Sequence, residues 1–117
     1  MTATDQQHEA LESAVALFQD IYRETETWPT MQVFELIMDI RRAAMEVSTN
    51  LTEGRHRSWG GESAEFVKIS QESLVELRTH LLRAKEHKVL AEAGIEGLLQ
   101  QANRLDGSLQ GLAASLA

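Results

Sequence analysis

Four stretches of this chain repeat apolar residues at alternating intervals of three and four, the spacing that lines one face of an α-helix. The last is the most regular: Ile95, Leu98, Ala102, Leu105, Leu109, Leu112 and Leu116 keep the alternation throughout. Val33, Ile37, Ile40, Ala44, Val47 and Leu51 keep it in the second stretch, and Val67, Ser70, Leu74, Leu77, Leu81 and Ala84 in the third. In the first, Leu11, Val15, Phe18 and Tyr22 form the stripe, and Ala14, Leu17 and Ile21 widen it. No run alternates apolar and polar residues long enough to suggest a strand.

Breakers separate the stretches at "TWPT" (27–30), "GRHRSWGG" (54–61) and, more softly, "EHKVLAEAG" (86–94). The pattern predicts helices over about 5–27, 31–53, 63–87 and 91–116. Thr4 and Gln7 stand at capping-box spacing for the first, and Ser63 after two glycines offers an N-cap for the third. Gly54 is placed to end the second by taking a positive φ. Short connections between amphipathic helices predict one domain over 1–117, an all-α, antiparallel, up-and-down four-helix bundle.

The second stretch carries a further line, Phe34, Met38, Arg41 and Met45, beside its first. One bundle needs one buried stripe per helix, so this line predicts contact with another copy of the chain. Gly97, Gly107 and Gly111 weaken the fourth helix, and are expected to permit close approach of a neighbour.

Composition narrows the chemistry. The absence of cysteine removes disulfides and thiol nucleophiles. No apolar run approaches the roughly 20 residues of a membrane span, and the polar, acidic start lacks a secretory pattern. A cytoplasmic protein with no membrane partner is the expectation. The formal charge of −7 opposes any whole-surface attraction for nucleic acid. Charge is uneven, however: residues 1–30 hold one Arg against six acidic residues, whereas 41–57 hold four Arg against Glu46 and Glu53.

That basic stretch contains most of the candidate chemistry. Arg41 and Arg42 lie on a largely apolar helix, where a guanidinium needs a carboxylate. An interhelical pair of Arg42 with Glu76 or Glu53 is the expected arrangement, with phosphate binding as the alternative. Asn50, Glu53 and Gly54 are expected to cap the second helix and bond the following loop. Arg55, His56 and Arg57, interleaved with Trp59, could hold a phosphate and stack a base, or form a solvated or subunit-contact loop. A di-metal site needs paired Glu-x-x-His motifs on two helices, and the one such motif, Glu53 to His56, is interrupted by Gly54. No metal, cofactor or nucleophilic triad is expected.

The motif line as a whole resembles a known family. Tyr22 ahead of Trp28-Pro29, then Phe34, Leu36, "IRRAA" (40–44), "VSTNLTEG" (47–54), Arg57, "FVKI" (66–69) and "SLVEL" (73–77) are similar to the proteins encoded within intervening sequences of bacterial 23S ribosomal RNA genes. The accessory variability determinant of diversity-generating retroelements belongs to the same group. The likeness runs over about residues 11–90. It implies a four-helix bundle assembled as a ring or barrel of five, with no enzymatic activity. The retroelement accessory protein is a basic barrel that binds nucleic acid and a reverse transcriptase. This chain departs from the pattern at Asp39, Glu46, Ser48 and Glu72, and three of those residues add negative charge. The resulting expectation is a homo-oligomeric, pentameric scaffold with Phe34, Met38 and Met45 at subunit contacts. The alternative is an RNA- or DNA-binding accessory protein with Arg41, Arg55, Arg57 and Lys68 along a shared pore or rim.

Overall fold

The computed structural model describes residues 1–57 and 61–117, and within them the chain is all-α, with four helices and no strand. These are α1 (Ala3–Glu26), α2 (Thr30–His56), α3 (Gly61–Lys85) and α4 (Glu92–Leu116). Among the described residues each helix packs against two others, α1 and α3 both against α2 and α4, and no contact crosses the diagonals. The result is a four-cornered rod of 46 × 21 × 19 Å, only a little longer than one of its helices.

The stripes of α2, α3 and α4 turn inward as their spacing predicts, ending with a half-buried Leu116. In α1 the inward line is a different one: Ala10, Ala14, Leu17, Ile21 and Thr25 are buried. Val15 and Tyr22 are exposed, while Leu11 and Phe18 rest half-covered at the edge. Two adjacent lines on one helix share the same period, so spacing alone cannot say which faces the core. The alanines decide it, because α1 can approach its neighbours most closely along the line of smallest side chains. Trp28, placed in a loop by its sequence, is buried and donates its indole N–H to Glu24 Oε2 at 3.4 Å. Leu90 covers the core in the same way between α3 and α4.

Several helix ends differ from expectation. The capping box of α1 is Thr2 with Asp5 rather than Thr4 with Gln7: Asp5 N–H donates to Thr2 Oγ1 at 3.1 Å, and Thr2 N–H to Asp5 Oδ2 at 3.2 Å. Those bonds favour the ionised form and hold the Asp5 carboxyl below its ordinary value. Pro29 caps α2 with its fixed φ, and Val33 breaks the helical geometry in the first turn (φ −129°, ψ 29°).

Helix α2 does not end at Gly54. It continues to His56, and Gly54 is buried within it, without a positive φ. The need for glycine is steric: a Cβ there would meet Phe66 Cβ at 3.0 Å and the Ser63 carbonyl at 3.5 Å. Ser63 is likewise not the N-cap of α3, which begins at Gly61. Its buried hydroxyl donates instead to the carbonyl oxygens of Gly54, at 2.9 Å, and Arg57. Ser70, fully buried, donates to Val47 O at 3.1 Å. Small residues thus bring α2 and α3 close, and their hydroxyls satisfy α2 carbonyls across the contact.

The close approach at Gly54 makes a direct prediction. A Gly54→Val variant should lose about 1–3 kcal/mol through overpacking against Phe66. Denaturant unfolding measures it, and unchanged stability would mean the two helices can part without cost.

Candidate interaction face

The side of the rod shared by α1 and α2 is built from two lines of large side chains that the core does not use. Val15, Phe18 and Tyr22 come from α1, and Met38 and Met45 from α2, with Met45 51 % exposed; Phe34, 55 % exposed, stands in the first turns of α2 and lines a cleft with Arg83 and His87 instead. Arg41 lies between them, half-buried. Its Nε donates to Thr25 Oγ1 at 2.9 Å, and its guanidinium carbon sits 4.1 Å from the centre of the Tyr22 ring. Phe18 tilts against Tyr22 with centroids 4.9 Å apart and planes at 57°. Thr25 Oγ1 in turn donates to Ile21 O at 2.7 Å, fixing the oxygen that Arg41 uses.

This arrangement has one unusual property. Among the described residues no carboxylate lies within ion-pair distance of Arg41. A hydroxyl and a π face hold the cation, and its terminal nitrogens make no hydrogen bond among those residues. Cation–π attraction contributes about 0.5–2 kcal/mol at such sites.

The other sequence-derived candidates are distributed differently from expectation. Arg42 does not pair with Glu76 or Glu53. It is exposed and lies 3.5 Å from Asp39 on its own helix. Glu76 is 3.7 Å from His80, one turn along α3, and Glu53 is 3.8 Å from Arg57. The reason is angular: Arg42 points away from α3, whereas Asp39 reaches Arg83 across the α2–α3 edge at 3.6 Å. Asn50 Nδ2 donates back to Glu46 O at 2.8 Å, and among the described residues its side chain makes no bond to the helix end or the loop. Arg57 pairs with both Glu53 and Glu62 and lies 5.7 Å from the Phe66 ring centre. Arg55 and Lys68 are exposed, with no ion pair among the described residues. Trp59, the proposed stacking residue, lies outside the described residues.

Gly97 and Gly107 have open space where a Cβ would stand, so the subunit itself does not require glycine there. Among the described residues no three His, Asp or Glu side chains gather where a metal could be held. No helix among them is long and apolar enough to cross a membrane. Sequence reasoning missed the Tyr22–Arg41–Thr25 tie and the cross-edge pairs Arg78–Asp106, at 3.7 Å, and Lys85–Glu96. The pair with Glu96 holds the Lys85 pKa above its ordinary value. A threonine and a tyrosine three residues apart on a helix carry no signal until a partner helix supplies the arginine.

The helices, and the motif line running through all but the last of them, match the family model of the 23S rRNA-intervening sequence protein over residues 6–111. The chain belongs to this family. A comparison with individual curated proteins gives no match. The family match takes in α2 and α3 entirely and nearly all of α1 and α4, so every residue of the α1–α2 face falls inside it.

In this family member the first of the paired arginines, Arg41, is the one that ties helices together. Arg41→Ala should cost about 1–2 kcal/mol, through the lost charged hydrogen bond and ring contact. Arg42→Ala should cost less than about 0.5 kcal/mol, because Arg42 is exposed and pairs only within its own helix. Thermal unfolding of the two variants separates them, and equal losses would refute the assignment.

Proposed function

We propose that this protein is a non-enzymatic, cytoplasmic scaffold whose working form is a ring of identical copies, five in number. The observation that supports it is the α1–α2 face, where large apolar side chains stand exposed around a cation without a carboxylate. Each such side chain, already half-covered, contributes roughly 1 kcal/mol when the rest of it leaves water. Family membership favours the same reading. An up-and-down order of the helices is part of this reading, and it is supported where contacts between α2 and α3 descend on one helix as they rise on the other. Gly54 lies against Ser63, Val47 meets Ser70, and Asp39 meets Arg83.

Light scattering on purified protein at micromolar concentration should give about five times the 13.1 kDa chain mass. A single-chain mass would end this reading.

A nucleic-acid role is the second reading, and Arg55 and Lys68 favour it as exposed cations without carboxylate partners among the described residues. Arg57 is engaged by two carboxylates, whereas Arg41 keeps its terminal nitrogens unbonded among the described residues, so three of the four proposed cations can meet a phosphate. Electrophoretic shifts of RNA and DNA at rising salt test it. Tight binding that weakens steeply with salt would favour this reading, and the absence of a shift at low salt would remove it.

A further inference from the structure

Two separate surfaces of the rod carry matching patterns. On α2, Arg41 and Arg55 stand fourteen residues apart, about 21 Å along the helix. Neither has an ion-pair partner among the described residues, and Met38 and Met45 flank Arg41. Arg41 reaches Thr25 of α1, so this line lies along the α1–α2 side. On α3, Glu72 and Glu86, the latter in the turn just after the helix, are also fourteen apart. Both are exposed, and neither makes an ion pair among the described residues.

Between the two carboxylates, at intervals of three and four, stand Val75, Thr79 and Leu82, with Val75 58 % and Leu82 54 % exposed. Each apolar residue stands three positions before a cation, Arg78 or Lys85, that bonds α4. Thr79 and Glu86 stand four before and three after Arg83, which bonds Asp39 of α2, so the line runs along the outward face of α3, between its edges with α2 and α4. Lys68 stands one turn before Glu72, at the edge of this line.

We propose that a second copy of the chain docks its α3 line onto the α1–α2 face. Arg41 takes Glu86 of the partner subunit, and Arg55 takes Glu72 of the partner subunit. The inference rests on the ring reading above and names the two surfaces that make the ring. Aligning the charges with the helices in opposite directions sets Met45 on Leu82 of the partner subunit and Ser48 on Thr79 of the partner subunit. Aligning them in the same direction would set Met45 on Glu76 of the partner subunit, a carboxylate against an apolar side chain. Charge and hydrophobicity therefore select the same register. A two-fold pairing of the α1–α2 face with itself is disfavoured, because it brings arginines together with no carboxylate to meet them. Contact between two different surfaces repeats from copy to copy, and it closes into a ring where the rotation per copy divides a full turn. One side of a 46 × 21 × 19 Å rod is large enough for the roughly 800 Å² per partner of a stable interface.

The absence of cysteine makes the test clean. Met45→Cys and Leu82→Cys chains are purified separately, mixed, and treated with a short thiol–thiol cross-linker. Mixing should give a product of twice the chain mass that neither variant gives alone, and the double variant should give a ladder ending at the ring number. Arg41→Glu should shift the oligomer to single chains that stay helical by circular dichroism, and adding Glu86→Arg should restore it. If Met45→Cys chains link to themselves, or the mixture gives no product while light scattering still reports an oligomer, this register is wrong and the ring stands. Failure of Glu86→Arg to restore assembly overturns the charge pairing. A single-chain mass for the unaltered protein overturns both the register and the ring.

Discussion

Everything in this molecule depends on four helices burying one stripe each at the same time. A helix of this length is marginal alone in water, because most helical stability in proteins comes from packing rather than intrinsic propensity. The rule is sharpest for α4, whose four glycines at 94, 97, 107 and 111 lower its propensity and whose stripe of Ile95, Leu98, Leu105, Leu109 and Leu112 compensates. It is least obvious for α3, whose inward line includes Ser63, Ser70 and Ser73. Those serines trade apolar area for closeness. Gly54 and the serine hydroxyls let the α2 and α3 backbones approach, and the carbonyls of Val47, Gly54 and Arg57 accept what the serines donate.

The opposite solution operates between α1 and α2. There α1 faces the core with Ala10, Ala14, Leu17 and Ile21, so Val15 and Tyr22 are turned outward, and the joint is closed on the outside by Tyr22 laid against Arg41. Tight packing within the subunit therefore produces the exposed face. An α1 that used Val15 and Phe18 as core would need a wider bundle and would leave no second line to share with another chain.

The sequence revealed the fold nearly in full, because alternation of three and four over five or more repeats has no other reading. It revealed the second line on α2 for the same reason. It did not reveal which line of α1 turns inward, since Leu11–Val15–Phe18–Tyr22 and Ala10–Ala14–Leu17–Ile21 share one period and differ only in size. Nor did it show which arginine matters. Arg41 and Arg42 are neighbours in sequence, yet one helical step separates a guanidinium wedged between helices from an exposed one bonded to a carboxylate of its own helix. The Gly54 expectation failed because glycine serves two purposes at helix ends, positive φ and close approach, and only the position of Phe66 distinguishes them.

The state of Arg41 also says what kind of partner suits it. Its Nε is engaged by Thr25 and one face of its plane is covered by Tyr22, leaving the outer edge with the terminal nitrogens. That edge accepts a planar anion side-on, a geometry that a carboxylate meets as well as a phosphate does. A phosphate polymer arrives with a long run of negative charge and must approach a chain carrying −7. A carboxylate from another copy arrives on a surface that also supplies the apolar residues needed to cover Met38 and Met45. The cation and the methionines around it ask for the same neighbour, and an acidic protein has such neighbours in every copy of itself.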